Sequence, residues 1–502
     1  MTDARYLSDA AHFPGGHATD VAVPRNTGEV PAIVRSASTV LPIGAQSSLT
    51  GGATPMGETV LSTEKLTRIV DVGPSHITVE AGVPVSVIQE TLASRGAWFP
   101  PVPTFTGAFA GGIVATNAAG AATFRHGAVR RWVDAIEVVL ASGDVLAIRR
   151  GETRARDGRL RVQAGDGAID VPVPPYRMPQ VDKVSAGYFA APDMDLIDLF
   201  IGSEGTLGVI TAVTFRTLSP RAATVLALVP CASETAALGL VAELRRERSV
   251  AAIEHMDRRS IDILREDGVD TRNDVAFPDD TGLALLVQIE VAHDLADRDA
   301  FDEIQASLGA PPPHTPLARV CRLLATHGAF DATELALPGQ TRRAGQLIAI
   351  REAVPAGVNA RVGRAQLEID SRIAKTAADM IVPFDCFGEM MAVYRDGFGS
   401  RGLDFAVWGH ISDGNVHPNV LPRSFDDVER GKEAILSFGQ AVARLGGCPL
   451  AEHGVGRNPV KQALLRGLYG EEGIEQMRAV KRALDPNWKL APGVIFNRIP
   501  VP

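Results

Sequence analysis

From residue 27 to 217, short apolar and β-branched runs alternate with glycine- and proline-rich breaks. Residues 32–35 read as part of a helix, followed by a strand at 40–43 and a Gly/Ser loop at 44–52. Further strands are predicted near 59–62 and 76–81, and a helix over 85–95, where Val85, Ile88 and Leu92 recur at helical spacing. Runs at 135–140 and 145–149, separated by Ser142-Gly143-Asp144, read as a β-hairpin. Segments 197–201 and 209–218 flank another glycine loop at 202–208. Residues 151–181 interrupt this rhythm with charged, Gly/Pro-containing sequence and read as a surface insertion or extended hairpin. After Ser219-Pro220 the pattern changes. Strands are predicted at 223–229, 283–291 and 404–410, with helices near 233–247, 297–308 and 317–325 between them. Two more helices are expected at 426–445 and 471–484, the second stopped by Asp485-Pro486-Asn487. The layout is α+β, with an antiparallel sheet in the second half.

Length agrees with more than one domain: 502 residues, 45% hydrophobic and 22% charged, suit a folded chain with a sizeable core. Fifty Lys plus Arg against 59 Asp plus Glu leave a net charge of -9, so the chain has no overall attraction for nucleic acid or an anionic membrane. A small-molecule partner is expected instead. Cys231, Cys321, Cys386 and Cys448 lie far apart, which excludes the usual zinc-ribbon, iron–sulfur and thioredoxin spacings. The N-terminus has no apolar core of the secretory type. The uncharged stretch 96–124 is long enough to cross a bilayer, but Pro100, Pro101, Pro103, its glycines and Asn117 make it a buried loop with a short helix. No transmembrane segment is expected. The expected compartment is the cytoplasm, with a peripheral position at the inner face of the membrane as an alternative.

Three glycine-dense loops carry the first chemistry: 44–52, 107–120 and 202–208. Glycine lets backbone amides approach a ligand closely, and consecutive N–H groups make an anion-binding nest. Ser47, Ser48 and Thr50 could add hydroxyl donors to a phosphate. No strand is followed by G-x-G-x-x-G, so a Rossmann nicotinamide site is not supported. The order and wording of the loops resemble the flavin-binding domain of the vanillyl-alcohol oxidase / p-cresol methylhydroxylase (PCMH) superfamily. The matching blocks are Pro24-Arg25-Asn26-Thr27-Gly28-Glu29-Val30, the 44–52 loop, Val79-Glu80-Ala81-Gly82-Val83, Pro101-Val102-Pro103, Gly111-Gly112-Ile113-Val114-Ala115-Thr116-Asn117 and the 202–208 loop. The resemblance covers roughly residues 25–218. It implies FAD contacts from Ile43, Gly44, Ala45, Gln46, Ser47, Ser48, Leu49, Pro103, Gly111, Gly112, Asn117, Gly120, Glu204, Gly205, Gly208 and Ile210. The 44–52 loop contains no histidine for a covalent link, so non-covalent FAD is expected, with His126 the one other histidine to watch.

A second constellation lies far downstream: His410-Ile411-Ser412-Asp413-Gly414-Asn415-Val416-His417-Pro418-Asn419, then Glu452-His453-Gly454. Two histidines seven apart across a glycine turn, with a distant carboxylate, can form a two-His, one-carboxylate metal site. The pattern is similar to the metal-dependent FAD-linked D-2-hydroxy-acid dehydrogenases, which include D-lactate, glycolate and D-2-hydroxyglutarate dehydrogenases. The resemblance implies that His410, His417 and Glu452 bind a divalent metal (Zn or Mn), that His453 is the general base, and that Asn419 and Arg351 touch substrate. It also implies three parts: a PCMH-type FAD-binding domain over 1–218, a cap with the metal site over 219–450, and a C-terminal segment, 451–502, completing the active site.

The expected reaction is oxidation of a D-2-hydroxy acid to a 2-oxo acid, with a quinone, a cytochrome or an electron-transferring flavoprotein as acceptor. A homodimer is compatible with the resemblance. The dicarboxylate pattern is not met: Pro355 stands where those members carry a hydroxyl, Ala377 where they carry lysine, and Ser412 replaces the usual glycine. The identity of the hydroxy acid stays open. Two other readings are an oxidase of another alcohol or polyol and a non-catalytic flavin-binding electron-transfer subunit, which typically lacks the C-terminal histidines.

Overall fold

Strand burial follows how many faces of each sheet are covered. Val145–Arg149 turns Leu146 and Ile148 inward and its other residues outward, as a half-covered sheet requires. Val250–Asp257 is buried along almost its whole length, as in a sheet packed on both faces. The computed structural model describes residues 3–498 apart from Val102, Thr104, Asp166 and Pro312. The middle residue of the Pro101-Val102-Pro103 block therefore lies outside the described residues. The chain forms two units. One contains the chain up to Gly120, Gly127 to Ser219, and Cys448 onward; the other contains Ala121–His126 and Pro220–Gly447.

In the first unit, β1 (Asp20–Ala22), β2 (Val40–Ile43) and β3 (Thr59–Ser62) form a small parallel sheet in the order β1-β3-β2. β4 (Ile69–Val72), β5 (His76–Glu80), β6 (Val133–Val139), β7 (Val145–Arg149) and β10 (Val209–Arg216) form an antiparallel sheet in the order β4-β5-β10-β6-β7. The charged 151–181 segment supplies a separate hairpin, β8 (Arg159–Ala164) with β9 (Gly167–Pro172). The uncharged stretch 96–124 holds the short helix Ala110–Ala115, whose Gly111 and Ile113 are buried. A core of Val30, Val34, Val40, Leu61, Val139, Val209 and Leu490 joins the two larger sheets with the C-terminal segment.

In the second unit, β11 (Ala223–Cys231), β12 (Val250–Asp257), β13 (Leu283–Val291), β14 (Glu334–Ala336), β15 (Met380–Ile381), β16 (Phe405–His410) and β17 (Asn415–Val420) make one sheet. Its order is β14-β11-β13-β12-β16-β17-β15, with every pairing antiparallel. One face packs against the 28-residue helix Thr341–Glu368, through Leu347, Ile350, Val354 and Val358, and against Met256, Ala406 and Trp408 of the sheet. The β16–β17 turn needs Gly414: its φ is +84°, and a Cβ there would lie 2.1 Å from the Val382 carbonyl oxygen. Among the described residues, no helix is long and apolar enough to cross a membrane.

Candidate flavin cavity and histidine cluster

The glycine loops of the first unit surround a cavity of about 300 Å³. Its wall contains Ile43 from the end of β2, Gly44, Ala45, Gln46, Ser47, Ser48 and Leu49 from the loop after it, and Pro103. Gly111 and Gly112 join from the short helix, Glu204, Gly205 and Gly208 from the loop before β10, and Ile210 from β10 itself. A Cβ at Gly112 would have open space within 4 Å, whereas one at Gly205 (φ +73°) would lie 2.6 Å from Pro42 Cγ. One glycine thus leaves room at the wall and the other lets two loops touch. The wall fits a large, mostly apolar ligand approached closely by backbone. Glu452 and His453 line the same cavity. Asn117 is not part of that wall: at φ +47° its Oδ1 accepts a hydrogen bond from the Arg130 N–H at 3.0 Å, a contact that shapes the loop. Gly120 does not line it either. His126 belongs to the second unit, where Nε2 lies 3.1 Å from Glu290.

Two charged groups, Glu204 in the cavity wall and Lys183 paired with the wall residue Glu452, take roles the sequence did not single out. Lys183 is fully buried, and its Nζ lies 2.7 Å from Glu452 Oε1. It follows the 151–181 insertion in irregular chain, with no motif to mark it. Glu204 accepts hydrogen bonds from the Val455 and Gly456 N–H groups, each at 2.8 Å. Burial pushes its carboxyl up to about 7, although those two amides and the Lys461 ammonium pull the other way.

The sheet register of the second unit assembles the other cluster. Glu254 pairs with His410 across β12 and β16, and His417 and Asn419 face Trp408 and Ala406 across β16 and β17. Side chains opposite one another share a face, so these groups lie on the side covered by the Thr341–Glu368 helix. Glu254 Oε1 is 2.7 Å from His410 Nδ1, and its Oε2 accepts from Arg351 Nε at 2.5 Å. Burial raises the Glu254 carboxyl, but Arg351 and His410 outweigh it and hold the group well below the usual carboxylate range. His417 Nδ1 lies 3.3 Å from Asp379 Oδ1, and the two imidazoles sit edge to face with centroids 5.5 Å apart. A carboxylate at Nδ1 is the arrangement that orients a metal-binding imidazole through its other nitrogen, and both histidines have it. This donor set fits a divalent cation. Asn419 is buried and donates from Nδ2 to the His417 carbonyl oxygen at 2.9 Å. Arg351 is largely buried, not a solvated helix charge. The adjacent His255 faces the other way, and burial pushes it down to about 4, which keeps it neutral.

Comparison with known proteins places these sites in a family. Residues 220–495 match the family described as FAD linked oxidases, C-terminal domain, and residues 18–149 match a FAD binding domain. The chain belongs to the FAD-linked oxidases. Its cofactor is FAD, and the two-domain α+β flavoprotein class expected from the sequence holds. The chain is 27% identical, over 95% of its length and 89% of the relative's, to a D-2-hydroxyglutarate dehydrogenase of Xanthomonas citri pv. viticola. It is 28% identical, over 95% of its length and 91% of the relative's, to a D-lactate dehydrogenase of Archaeoglobus fulgidus. The glycolate oxidase subunit GlcD of Bacillus subtilis is 26% identical, with 95% of this chain and 89% of that protein covered. Among solved structures, an alkyldihydroxyacetonephosphate synthase superposes with a TM-score of 0.58, covering 94% of this chain and 75% of that one at 14% identity. That likeness speaks for the fold alone.

Proposed function

We propose that this FAD-linked oxidase oxidises a D-2-hydroxy acid to the 2-oxo acid and passes the electrons to an acceptor other than NAD, such as a quinone, a cytochrome or an electron-transferring flavoprotein. The observation that carries the reading is the shared wall of the first-unit cavity, where the flavin loops meet Glu452 and His453. The named activities of the relatives supply the substrate class.

FAD, held by the loops of the first-unit cavity, would supply a hydride acceptor for the substrate's C2, and a divalent metal, held by His410, His417 and Glu452, would supply Lewis-acid polarisation of the 2-hydroxyl. His453 takes the hydroxyl proton on an imidazole nitrogen, acting as the general base. Arg351, oriented through Nε by Glu254, offers its terminal nitrogens to the substrate carboxylate. Asn419 contacts the substrate beside it. His410, His417 and Glu452 are the metal ligands in this reading, with Zn or Mn as the ion. Glu254 and Asp379 orient the two imidazoles, and Lys183 pairs with the Glu452 carboxylate. Ile43, Gly44 through Leu49, Pro103, Gly111, Gly112, Glu204, Gly205, Gly208 and Ile210 serve the FAD, held without a covalent bond, and Asn117 shapes the loop behind them. The absence of a hydroxyl at Pro355 and of a lysine at Ala377 favours a monocarboxylate over a dicarboxylate.

A dye-reduction assay tests the assignment. The D-enantiomer of one hydroxy acid should reduce an artificial electron acceptor at least tenfold faster than its L-enantiomer, with no reduction of NAD. Equal rates with both, or reaction only with alcohols that lack a carboxylate, would overturn it.

A further inference from the structure

The turn that carries His453 has an unusual backbone. His453, Gly454 and Gly456 all have positive φ, at +68°, +76° and +58°. Glycines adopt that region freely, but a histidine holds it only where its surroundings enforce it. The turn is gripped by opposite charges. On one side the Glu204 carboxylate receives the Val455 and Gly456 amides, each at 2.8 Å, as an anion sits in a backbone nest. On the other side Lys461 Nζ donates to the carbonyl oxygens of Glu452 at 3.3 Å and Gly454 at 3.1 Å, from the first turn of the helix Pro459–Leu484. Packing leaves the turn little alternative: a Cβ at Gly454 would lie 2.6 Å from the Glu204 carboxyl carbon, and one at Gly456 would lie 2.2 Å from Thr50 Oγ1. Glu204 belongs to the 202–208 loop, and both it and His453 line the cavity.

We infer that Glu204 is a positioning residue: its carboxylate, seated in the amide nest of Val455 and Gly456, locks the backbone of His453 and ties the base to a loop of the flavin cavity. The inference rests on the reading of His453 as the base. It gives a flavin loop a second task, since the same side chain that helps to wall the cavity sets where the imidazole stands.

Hydrogen exchange on the FAD-loaded enzyme tests it, with Glu204→Gln and Glu204→Ala compared to wild type and Lys461→Met loosening the turn from the opposite side. Hydrogen bonds to a charged acceptor are strong enough that losing them should speed exchange at 455–456 by about tenfold or more. Anaerobic flavin reduction by the hydroxy acid should slow by a similar factor in all three variants, with KM changed by less than about threefold, because positioning acts on the chemical step. Unchanged exchange in both Glu204 variants overturns the inference. So does wild-type flavin reduction in those variants when His453→Ala is inactive. If His453→Ala itself reduces flavin at the wild-type rate, the assignment of the base has failed, while the exchange result still decides whether Glu204 holds the turn.

Discussion

Glu254 and His410 face each other across β12 and β16, carboxylate oxygen to Nδ1 at 2.7 Å, and the second oxygen of the same carboxylate grips Arg351. One side chain therefore orients both an expected metal ligand and the expected substrate clamp. Glu254→Gln breaks both contacts at once. Losing a carboxylate behind a ligating imidazole lowers metal affinity or activity by about 10–100-fold. Metal titration followed by turnover should show that drop with FAD still bound; unchanged affinity and rate would remove Glu254 from the site.

The same residue predicts an acid-side instability. Its folded pKa is depressed, so its contribution to stability is present above the ordinary carboxylate value of about 4.3 and is lost as the pH falls below it. Melting temperatures across that range should fall more steeply for the wild type than for Glu254→Gln. Parallel curves would contradict the pairing.

Glu204 has the opposite sign. Burial places its folded pKa at about 7, above the value of about 4.3 in an unfolded chain. Its favourable contribution is complete below the lower value and is lost as pH rises through the higher one. Relative to Glu204→Gln, the wild type should lose melting temperature between about pH 5 and pH 8. A difference that does not vary with pH would place the carboxyl in a better-solvated environment.

Much of this architecture was legible beforehand, because the strands at Val40–Ile43, Thr59–Ser62 and Leu283–Val291 have clean apolar patterns bounded by turn residues. The flavin loops were legible from their glycines, and the histidine pair from its spacing across Gly414. β12 was not. Val250–Asp257 is packed on both faces, so it lacks the alternation that marks a strand, and Glu254 and His255 in its middle break the apolar run. Missing β12 meant missing Glu254. The helix around Arg351 was also unread: Pro355 lies inside it, and proline normally argues against a helix interior. Lys183 had no local signal, since its partner Glu452 is 269 residues away in the chain (452 minus 183) and only folding brings them together.

Lys183 supports a prediction of its own. Both ends of the Lys183–Glu452 pair are buried, and removing one charge strands the other. Lys183→Met should cost about 3–5 kcal/mol in unfolding free energy, measured by denaturant titration of the holoenzyme. The double variant Lys183→Met with Glu452→Gln should recover part of that loss, and a single variant as stable as wild type would mean the pair is solvated.

The metal assignment predicts one divalent ion per chain by elemental analysis. Chelation should abolish turnover while FAD remains bound, and Zn or Mn should restore it. His410→Ala and His417→Ala should each lose the ion. Full activity in metal-free enzyme would contradict the assignment.

Anaerobic bleaching of the flavin's visible absorption band by D- and L-2-hydroxy acids tests the central claim most directly, because it reports hydride arrival at the cofactor that defines this enzyme class. The account predicts rapid bleaching by a D-acid, loss of that bleaching in His453→Ala by a factor of about 10²–10⁴, and full retention of bound FAD in the variant. Bound FAD that no 2-hydroxy acid bleaches, or bleaching that His453→Ala leaves intact, would contradict it.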